Sequence, residues 1–139
     1  MKNKSLLLIK PDAFHNHNSG QIITMLEEDG FEIVQMKVLN LTKKLAERFY
    51  EIHKRRDFFH ELVDYMRSDK ILAICVEKEN CVADLRKLIG DTDPAKAKRG
   101  TIRKAIGKNK QENGVHASDS AENAEREIRF FFSALEVML

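Results

Sequence analysis

The chain has 139 residues, a length that suits one domain with a sizeable buried core. Its hydrophobic content of 42% and charged content of 33% are typical of an ordinary globular protein. The net charge of +2 is too small to indicate a nucleic-acid or membrane partner, and the two cysteines form neither a zinc nor a disulfide framework. We therefore expect a single domain over residues 1–139 in a reducing, cytoplasmic compartment.

The first predicted element is a buried strand over residues 4–10, ended by Pro11. Its apolar run is too short for a signal peptide, which needs about seven or more apolar residues. The spacing of the next apolar residues predicts a helix over 20–29. Ser19 is expected to cap this helix, and Gly30 is expected to end it.

The middle of the chain predicts two further strands, over residues 31–39 and 70–77. Two helices lie between them, the first opened by Thr42 and the second bearing apolar residues at helical spacing. After the strand at 70–77, Asn80 is expected to cap another helix and Gly90 to close it.

The last third of the chain predicts a long loop, a short strand and a helix. The loop covers residues 91–112, the strand lies around 115–117, and Ser120 caps a helix that runs to about Phe132. The whole order contains a β-α-β-β-α-β nucleus. It predicts an α+β, ferredoxin-like fold, in which helices cover an antiparallel four-stranded sheet.

The long loop is strongly basic. Residues 94–111 contain seven cations and no acid, which is typical of a solvated loop but also suits a phosphate clamp. One apparent motif in it is a false one. The segment GTIRKAIGKN (100–109) has six residues between its glycines and Asn109 after the lysine, whereas a P-loop needs four and then serine or threonine.

Two charged residues lack local partners on their predicted helices. The last helix offers i,i+4 pairs for Glu122 with Arg126 and for Glu125 with Arg129, but none for Glu127. Folded back along its strand, the helix would return Glu127 nearly level with His116, although a merely exposed glutamate remains an equal alternative. Arg86 also has no acidic neighbour, and is either a rim arginine or free to reach an anion.

The histidines admit several interpretations. His116 could be a core histidine, a metal ligand, an accident of helix capping or a nucleophile. His15 and His17 form H-x-H in a predicted loop, where exposed residues are favoured over a metal site. His53 and His60 are interpreted as helix-surface or hairpin-packing residues.

Two segments read together resemble nucleoside diphosphate kinase: LLLIKPDAF (6–14) and NGVHASDSAENAEREI (113–128). The second matches that family's signature N-x-x-H-[G/A]-S-D. The similarity extends almost end to end. FYEIHKRRDFFHELVDYM (49–66) resembles the family's helical hairpin, LRKLIGDTDPAKA (85–97) its R-x-L-x-G-x-T-x-P segment, and GTIRKAIG (100–107) its G-T-I-R turn.

The resemblance implies that His116 is a nucleophile, phosphorylated on Nδ1, with Ser118 and Glu127 supporting it. It also implies base contacts from Phe58 and Leu62, although both Phe58 and Phe59 would otherwise be interpreted as core. The residues implied to contact phosphates and ribose are Lys10, Tyr50, Arg86, Thr92, Arg103 and Asn113. Mg²⁺ would be carried by the nucleotide phosphates, without a dedicated protein site.

The chain departs from the family's usual pattern at four places. Ala117 follows the histidine instead of the commoner glycine, which lies within the family's variation. Arg99 stands where proline is common, and Lys110 where a small apolar residue packs near the base. The stretch FHNHNS (14–19) lacks a frequent arginine. Arg99 and Lys110 bear on loop rigidity and oligomer packing rather than on the chemistry.

The activity implied is reversible transfer of a terminal phosphate between nucleoside tri- and diphosphates, by a ping-pong mechanism with broad base specificity. An imidazole with a pKa of about 6.5 can accept a phosphoryl group and then transfer it again. A homo-oligomer, tetramer or hexamer, is implied as well. A nucleotide sensor of the same fold and a sheet-based RNA-binding module are the rival functions.

Overall fold

The fold is built on a four-stranded sheet. A computed structural model describes residues 1–138, with strands β1 (Lys2–Ile9), β2 (Glu32–Leu39), β3 (Ile71–Glu79) and β4 (Val115–Ala117). The strand order is β2-β3-β1-β4, and each neighbouring pair is antiparallel. This arrangement confirms the predicted ferredoxin-like α+β fold.

Eight helices and one 3-10 turn connect these strands in the described part of the chain. The helices are α1 (Pro11–His15), α2 (Ser19–Glu28), α3 (Lys43–Phe49), α4 (Phe59–Met66), α5 (Cys81–Ile89), α6 (Ile102–Ile106), α7 (Ala121–Phe131) and α8 (Ala134–Val137). The 3-10 turn covers Glu51–His53 and joins the region of α3 to α4. Across residues 1–138, no helix has the length and apolar character needed to cross a membrane.

The sheet is buried on both faces. Along β1, Leu6 and Leu8 contribute to a core with α3, α4 and α7, whereas Leu7 and Ile9 contribute to a second core with α2 and α5. Successive strand residues point to opposite faces, so a continuous apolar run fills both cores at once. Strand β1 also pairs directly with β4, and so fixes the position of that short strand.

The local signals at helix ends were only partly predictive. Thr42 and Ser120 cap α3 and α7 through their side chains, as expected. Ser19, however, is the first residue of α2 and not its cap. Asn80 occupies the cap position of α5 but makes no side-chain capping bond; the backbone N–H of Cys81 donates instead to Oδ1 of Asn3, at 2.8 Å.

The long basic loop is more ordered than its sequence suggests. It contains α6, whose cap Thr101 accepts a hydrogen bond from the backbone of Lys104. Gly90 closes α5 with a φ of 88°, and a Cβ there would meet the side chain of Thr101 at 2.7 Å. Only glycine fits both that backbone conformation and that close approach. The loop therefore packs tightly against the end of α5, next to β4.

Candidate active site

His116 lies on β4, opposite Leu8 of the central strand. Its ring packs edge-on against Phe49, with centroids 5.5 Å apart, and against Tyr50, at 6.2 Å. The side chain is 23% exposed, so the ring is fixed by packing yet reaches an open space. A histidine held in this way is neither a core residue nor a freely solvated one.

Glu127 approaches His116 from α7. Its Oε1 lies 2.8 Å from Nε2 of His116, and the same oxygen accepts a hydrogen bond from Oγ of Ser118 at 2.7 Å. Glu127 is only 4% exposed, which excludes the alternative of a merely surface glutamate. The sheet and helix thus bring together His116, Ser118 and Glu127, which are separated by up to 11 positions in the chain.

The electrostatics of this group favour one tautomer of the imidazole. Burial opposes ionisation of Glu127. The hydrogen bond and charge of His116, the Ser118 hydrogen bond and the nearby charge of Arg126 outweigh burial and hold the pKa of Glu127 below its usual value. An ionised carboxylate accepts a hydrogen bond from the Nε2–H of a neutral ring, so the lone pair of the ring remains on Nδ1.

The ring of His116 borders a cavity of about 150 Å³. Three arginines, Arg86 on α5, Arg103 on α6 and Arg126 on α7, line it together with His116 and Asp119. Arg86 donates to the carbonyl of Ala117 at 3.4 Å, which settles that it points toward β4. The cavity is therefore a positively charged space beside an unprotonated ring nitrogen.

Arg103 is held by backbone carbonyls at both ends of its guanidinium. Nη1 donates to Gly90 at 3.1 Å and Nη2 to Val115 at 2.9 Å. Burial and the nearby charge of Arg86 lower the pKa of Arg103 to about 10, so it remains cationic at neutral pH. Its Nε–H is buried without a hydrogen-bond partner among the described residues.

The hydroxyl of Tyr50 is a second buried polar atom without a partner in the described part of the chain. Burial, with the charge of Glu127 adding to it, raises the pKa of Tyr50 well above its usual value, so the hydroxyl keeps its proton. A buried donor left unpaired costs about 1–3 kcal/mol. Tyr50 and Arg103 both line the cavity, so these two unpaired donors belong to side chains that border it.

A second cavity, of about 500 Å³, contains most of the remaining candidates. It is lined by Lys10, Phe58, Glu61, Leu62, Thr92, Lys110 and Gln111. Phe58 is an exposed aromatic at the start of α4, whereas its neighbour Phe59 is buried in the core. Lys110, noted above as a departure from the family pattern, borders the same cavity.

Lys10 and Asn113 form a polar link at the edge of the second cavity. Nζ of Lys10 donates to Oδ1 of Asn113 at 3.0 Å and to the carbonyl of Gln111 at 3.3 Å. Nδ2 of Asn113 donates in turn to the carbonyls of Thr92 and Lys110. Burial, and then the charge of Arg103, lower the pKa of Lys10 to about 8.

His53 is a cavity residue that the sequence pattern did not single out. It lines the space beside His116, stacks on Tyr50 with centroids 6.4 Å apart, and contacts Phe58 at 5.5 Å. It therefore lies between the two cavities. Burial, then the charges of Arg56 and His116, lower the pKa of His53. No local signal in the sequence shows that the 3-10 turn containing His53 faces β4.

Arg126 differs from its predicted pairing. Its Nη2 lies 3.6 Å from Oε2 of Glu127, and no ion pair with Glu122 occurs among residues 1–138. The prediction for Glu125 and Arg129 is confirmed, with a separation of 2.9 Å. Arg126 also lines the cavity beside His116.

The H-x-H segment lies away from these cavities. His15 ends α1, and its Nδ1 is 3.5 Å from Oδ2 of Asp69, while His17 adopts a φ of 61°. Within the described range, no group of three or more His, Cys, Asp or Glu side chains could hold a metal ion.

Comparisons with known proteins agree over nearly the whole chain. A family model described as nucleoside diphosphate kinase matches residues 3–137. The nucleoside diphosphate kinase of Chlorobaculum tepidum is 50% identical over 135 residues, covering 97% of this chain and 96% of that protein. The corresponding protein of Geobacter sp. (strain M21) is 47% identical over 135 residues, covering 97% and 98%.

Solved structures show the same similarity. The nucleoside diphosphate kinase of Aquifex aeolicus superposes with a TM-score of 0.96 at 37% identity, covering 99% of both chains. That of Halobacterium salinarum, solved in complex with CDP, has a TM-score of 0.93 at 32% identity and covers 99% of this chain and 91% of its own.

Proposed function

This chain belongs to the nucleoside diphosphate kinase family, and from that premise we propose that it works by a ping-pong mechanism through a phosphohistidine at His116. It is a phosphotransferase that acts on nucleotides. The observation that carries the mechanism is the 2.8 Å contact between Nε2 of His116 and Oε1 of Glu127, which leaves Nδ1 as the nucleophilic atom.

The proposed transfer has two mirrored steps. In the first, Nδ1 of His116 bonds to the terminal phosphorus of a nucleoside triphosphate while the bond from that phosphorus to the bridging oxygen breaks, and a nucleoside diphosphate leaves. In the second, a terminal oxygen of another nucleoside diphosphate attacks the phosphorus, and the Nδ1–P bond breaks. The Nε2 proton stays between the ring and Glu127 throughout, and Ser118 orients the carboxylate.

The charges around the cavity suit a phosphoryl group in transit. Its transition state spreads negative charge over three oxygens, so catalysis depends mainly on positioning and charge stabilisation. Arg86 and Arg103 supply cations next to His116, and Lys10 supplies one at the second cavity. The hydroxyl of Tyr50, which has no partner within the described residues, is proposed as a further neutral donor. Thr92 and Asn113 complete the proposed phosphate and ribose contacts, since both border Lys10.

The base of the nucleotide is proposed to occupy the second cavity. Phe58 offers an aromatic face and Leu62 an apolar wall, and stacking on such a surface is open to every base. The Halobacterium salinarum relative was solved with CDP. These features support broad base specificity for this chain.

Mg²⁺ is proposed as the cofactor, bound chiefly by the nucleotide. The carboxylates that line the cavity beside His116 are Asp119 and Glu127, and Glu127 already accepts bonds from two side chains. Asp119 accepts a hydrogen bond from Nδ2 of Asn123 at 2.6 Å. So few carboxylates fit an ion that takes most of its ligands from phosphates and water. Bound there, the ion would neutralise charge on the phosphates, while Asp119 would face it.

A homo-oligomer is proposed, in the form of a tetramer or hexamer. Strand β2 is an edge of the sheet, and its Met36 and Val38 are exposed. An open strand edge bearing apolar side chains is suited to pairing with another chain. We also propose a single domain over residues 1–139. The two cysteines are free and buried, which suits the proposed cytoplasmic location.

Replacing Val38 with aspartate is expected to lower the oligomeric state, because it sets a charge on the apolar edge of β2. Light scattering on the purified variant measures the effect. Leu45→Asp is the matched control, since Leu45 is also exposed but lies on α3. An unchanged mass for Val38→Asp, with native circular dichroism, would exclude β2 from the interface.

The mechanism is tested by incubating the protein with Mg²⁺ and ATP labelled on its terminal phosphate. The protein should acquire a label that is labile in acid and stable in alkali, and unlabelled GDP should remove it as labelled GTP. With ADP, GDP, CDP and UDP as acceptors, the rates should agree within about tenfold. A protein that binds ATP but takes up no label would instead be a nucleotide sensor.

A further inference from the structure

Glu127 has two carboxylate oxygens, and the proposed mechanism uses only one. Oε1 accepts from both His116 and Ser118, at 2.8 and 2.7 Å. Oε2 lies 3.6 Å from Nη2 of Arg126. The second oxygen therefore has a cationic neighbour of its own.

Arg126 reaches this position in an unusual way. It directly precedes Glu127 on α7, and consecutive helical side chains point about 100° apart. The guanidinium nevertheless lies near the carboxylate of its sequence neighbour and forms no ion pair, among residues 1–138, with the i,i+4 acid Glu122. Arg126 is 39% exposed and lines the cavity beside His116. Its charge is thus directed at the cavity wall and not at a surface pair.

We propose that Arg126 is a positioning residue for phosphoryl transfer: it holds Oε2 of Glu127, so that Oε1 stays directed at His116 and Ser118. This inference rests on the proposed phosphohistidine function. A partly exposed ion pair contributes little to the stability of a fold, because water screens it. Its principal effect is therefore on the orientation and basicity of the carboxylate beside it.

The basicity of Glu127 affects the second half of the reaction. When phosphorus is bonded to Nδ1, the Nε2 proton lets the ring leave as neutral imidazole. A carboxylate that is too basic takes this proton and leaves a poorer leaving group behind. The charge of Arg126 beside Oε2 weakens the carboxylate's hold on that proton. Arg126 therefore favours the form of the phosphorylated ring that can pass its phosphate on.

Other ionisable groups face the same pair from neighbouring elements. They come from the end of α3, the 3-10 turn, α5, α6 and the segment after β4, and they are Tyr50, His53, Arg86, Arg103 and Asp119. None of them is altered by a substitution at Arg126. A difference between the wild-type protein and an Arg126 variant therefore reports the contribution of this guanidinium alone.

The test is the pH–rate profile of the full-length Arg126→Gln protein, with kcat and KM measured separately. Removing a cation makes proton uptake by the Glu127–His116 pair easier, so the acidic limb of the kcat profile should move up by about half a pH unit. At neutral pH, kcat should fall about threefold to tenfold, while the KM for each nucleotide stays within about twofold. Arg126→Lys, which keeps the charge, should recover most of both changes.

Arg129→Gln is the matched control, because Arg129 lies one turn further along α7 and pairs with the exposed Glu125. It should leave the profile unchanged. Two results would overturn the inference: a tenfold rise in KM with the acidic limb in place, which means direct phosphate binding, or wild-type behaviour in every measurement. Wild-type protein must first form the phosphohistidine, so a failure there is assigned to the proposed function and not to Arg126.

Discussion

Replacing His116 with alanine is expected to reduce nucleotide-dependent phosphoryl transfer by at least about ten-thousandfold, because it removes the atom proposed to form the covalent intermediate. Nucleotide affinity should persist, since Arg86, Arg103 and the walls formed by Phe58 and Leu62 are unchanged. The measurements are single-turnover labelling with radioactive ATP and equilibrium titration with a fluorescent nucleoside diphosphate.

Two further variants make this result interpretable. Alanine at position 116 leaves the buried Glu127 with one donor fewer, which costs about 1–3 kcal/mol of stability. His116→Asn keeps a side-chain amide there and should be equally inactive. It replaces the alanine variant in these measurements if alanine lowers the yield of folded protein. His60→Ala removes an exposed histidine of α4 and should retain full activity. Acid-labile labelling of His116→Ala would assign the nucleophile to another residue.

Replacing Glu127 with glutamine should lower kcat by about tenfold to a hundredfold, the usual effect of losing a carboxylate that orients a reacting histidine. The amide keeps the shape of the side chain but no longer carries the charge that stabilises the Nε2 proton. The nucleotide KM should change little, because Glu127 is enclosed by His116 and Ser118. Steady-state kinetics with ATP and a diphosphate acceptor measure both parameters.

The same variant has a pH-dependent effect on stability. Because the pKa of Glu127 is held below its usual value of 4.5, the ionised carboxylate stabilises the folded protein above that pH. This stabilisation is lost as the pH falls through the lowered pKa. The difference in unfolding free energy between wild type and Glu127→Gln should therefore shrink on acidification. Glu125→Gln, an exposed change on the same helix, is the control for the stability measurement. In the kinetic measurement, a kcat of Glu127→Gln equal to that of the wild type would reject the role of Glu127.

Short-range patterns in the sequence were enough to predict the sheet and most helices. The alternation of two cores along β1 follows directly from an unbroken apolar run, and the caps at Thr42 and Ser120 are local hydrogen bonds between near neighbours. Such features need no knowledge of the rest of the chain. They account for the predicted order of elements and hence for the fold class.

Features that depend on distant partners could not be predicted in this way. The cap of α5 comes from Asn3 on strand β1, which is 78 positions from Cys81 in the chain. The one-turn helix α6 is too short to show a period, and its position depends on the close contact of Gly90 with Thr101. In each case the deciding contact exists only after the sheet has formed.

The candidate site likewise has features that the sequence could predict and features that it could not. Helix geometry suggested that Glu127 could return to His116, but left an exposed glutamate as an equal alternative; burial on α7 decided between them. His53 was interpreted as a surface or packing residue, because nothing local shows that the 3-10 turn faces β4. Arg126 was paired with Glu122 by spacing alone, whereas the fold offers it a nearer acid.

The fork of Arg103 has a consequence for how the protein meets its substrates. By donating to the carbonyls of Gly90 and Val115 at once, it links the end of α5 to β4, the strand that bears His116. A lysine would match the charge but could not span both carbonyls from one rigid plane. The scaffold is thus already set when a nucleotide arrives. Little of the nucleotide's binding energy is consumed in ordering the protein, and more is left to lower the barrier to transfer.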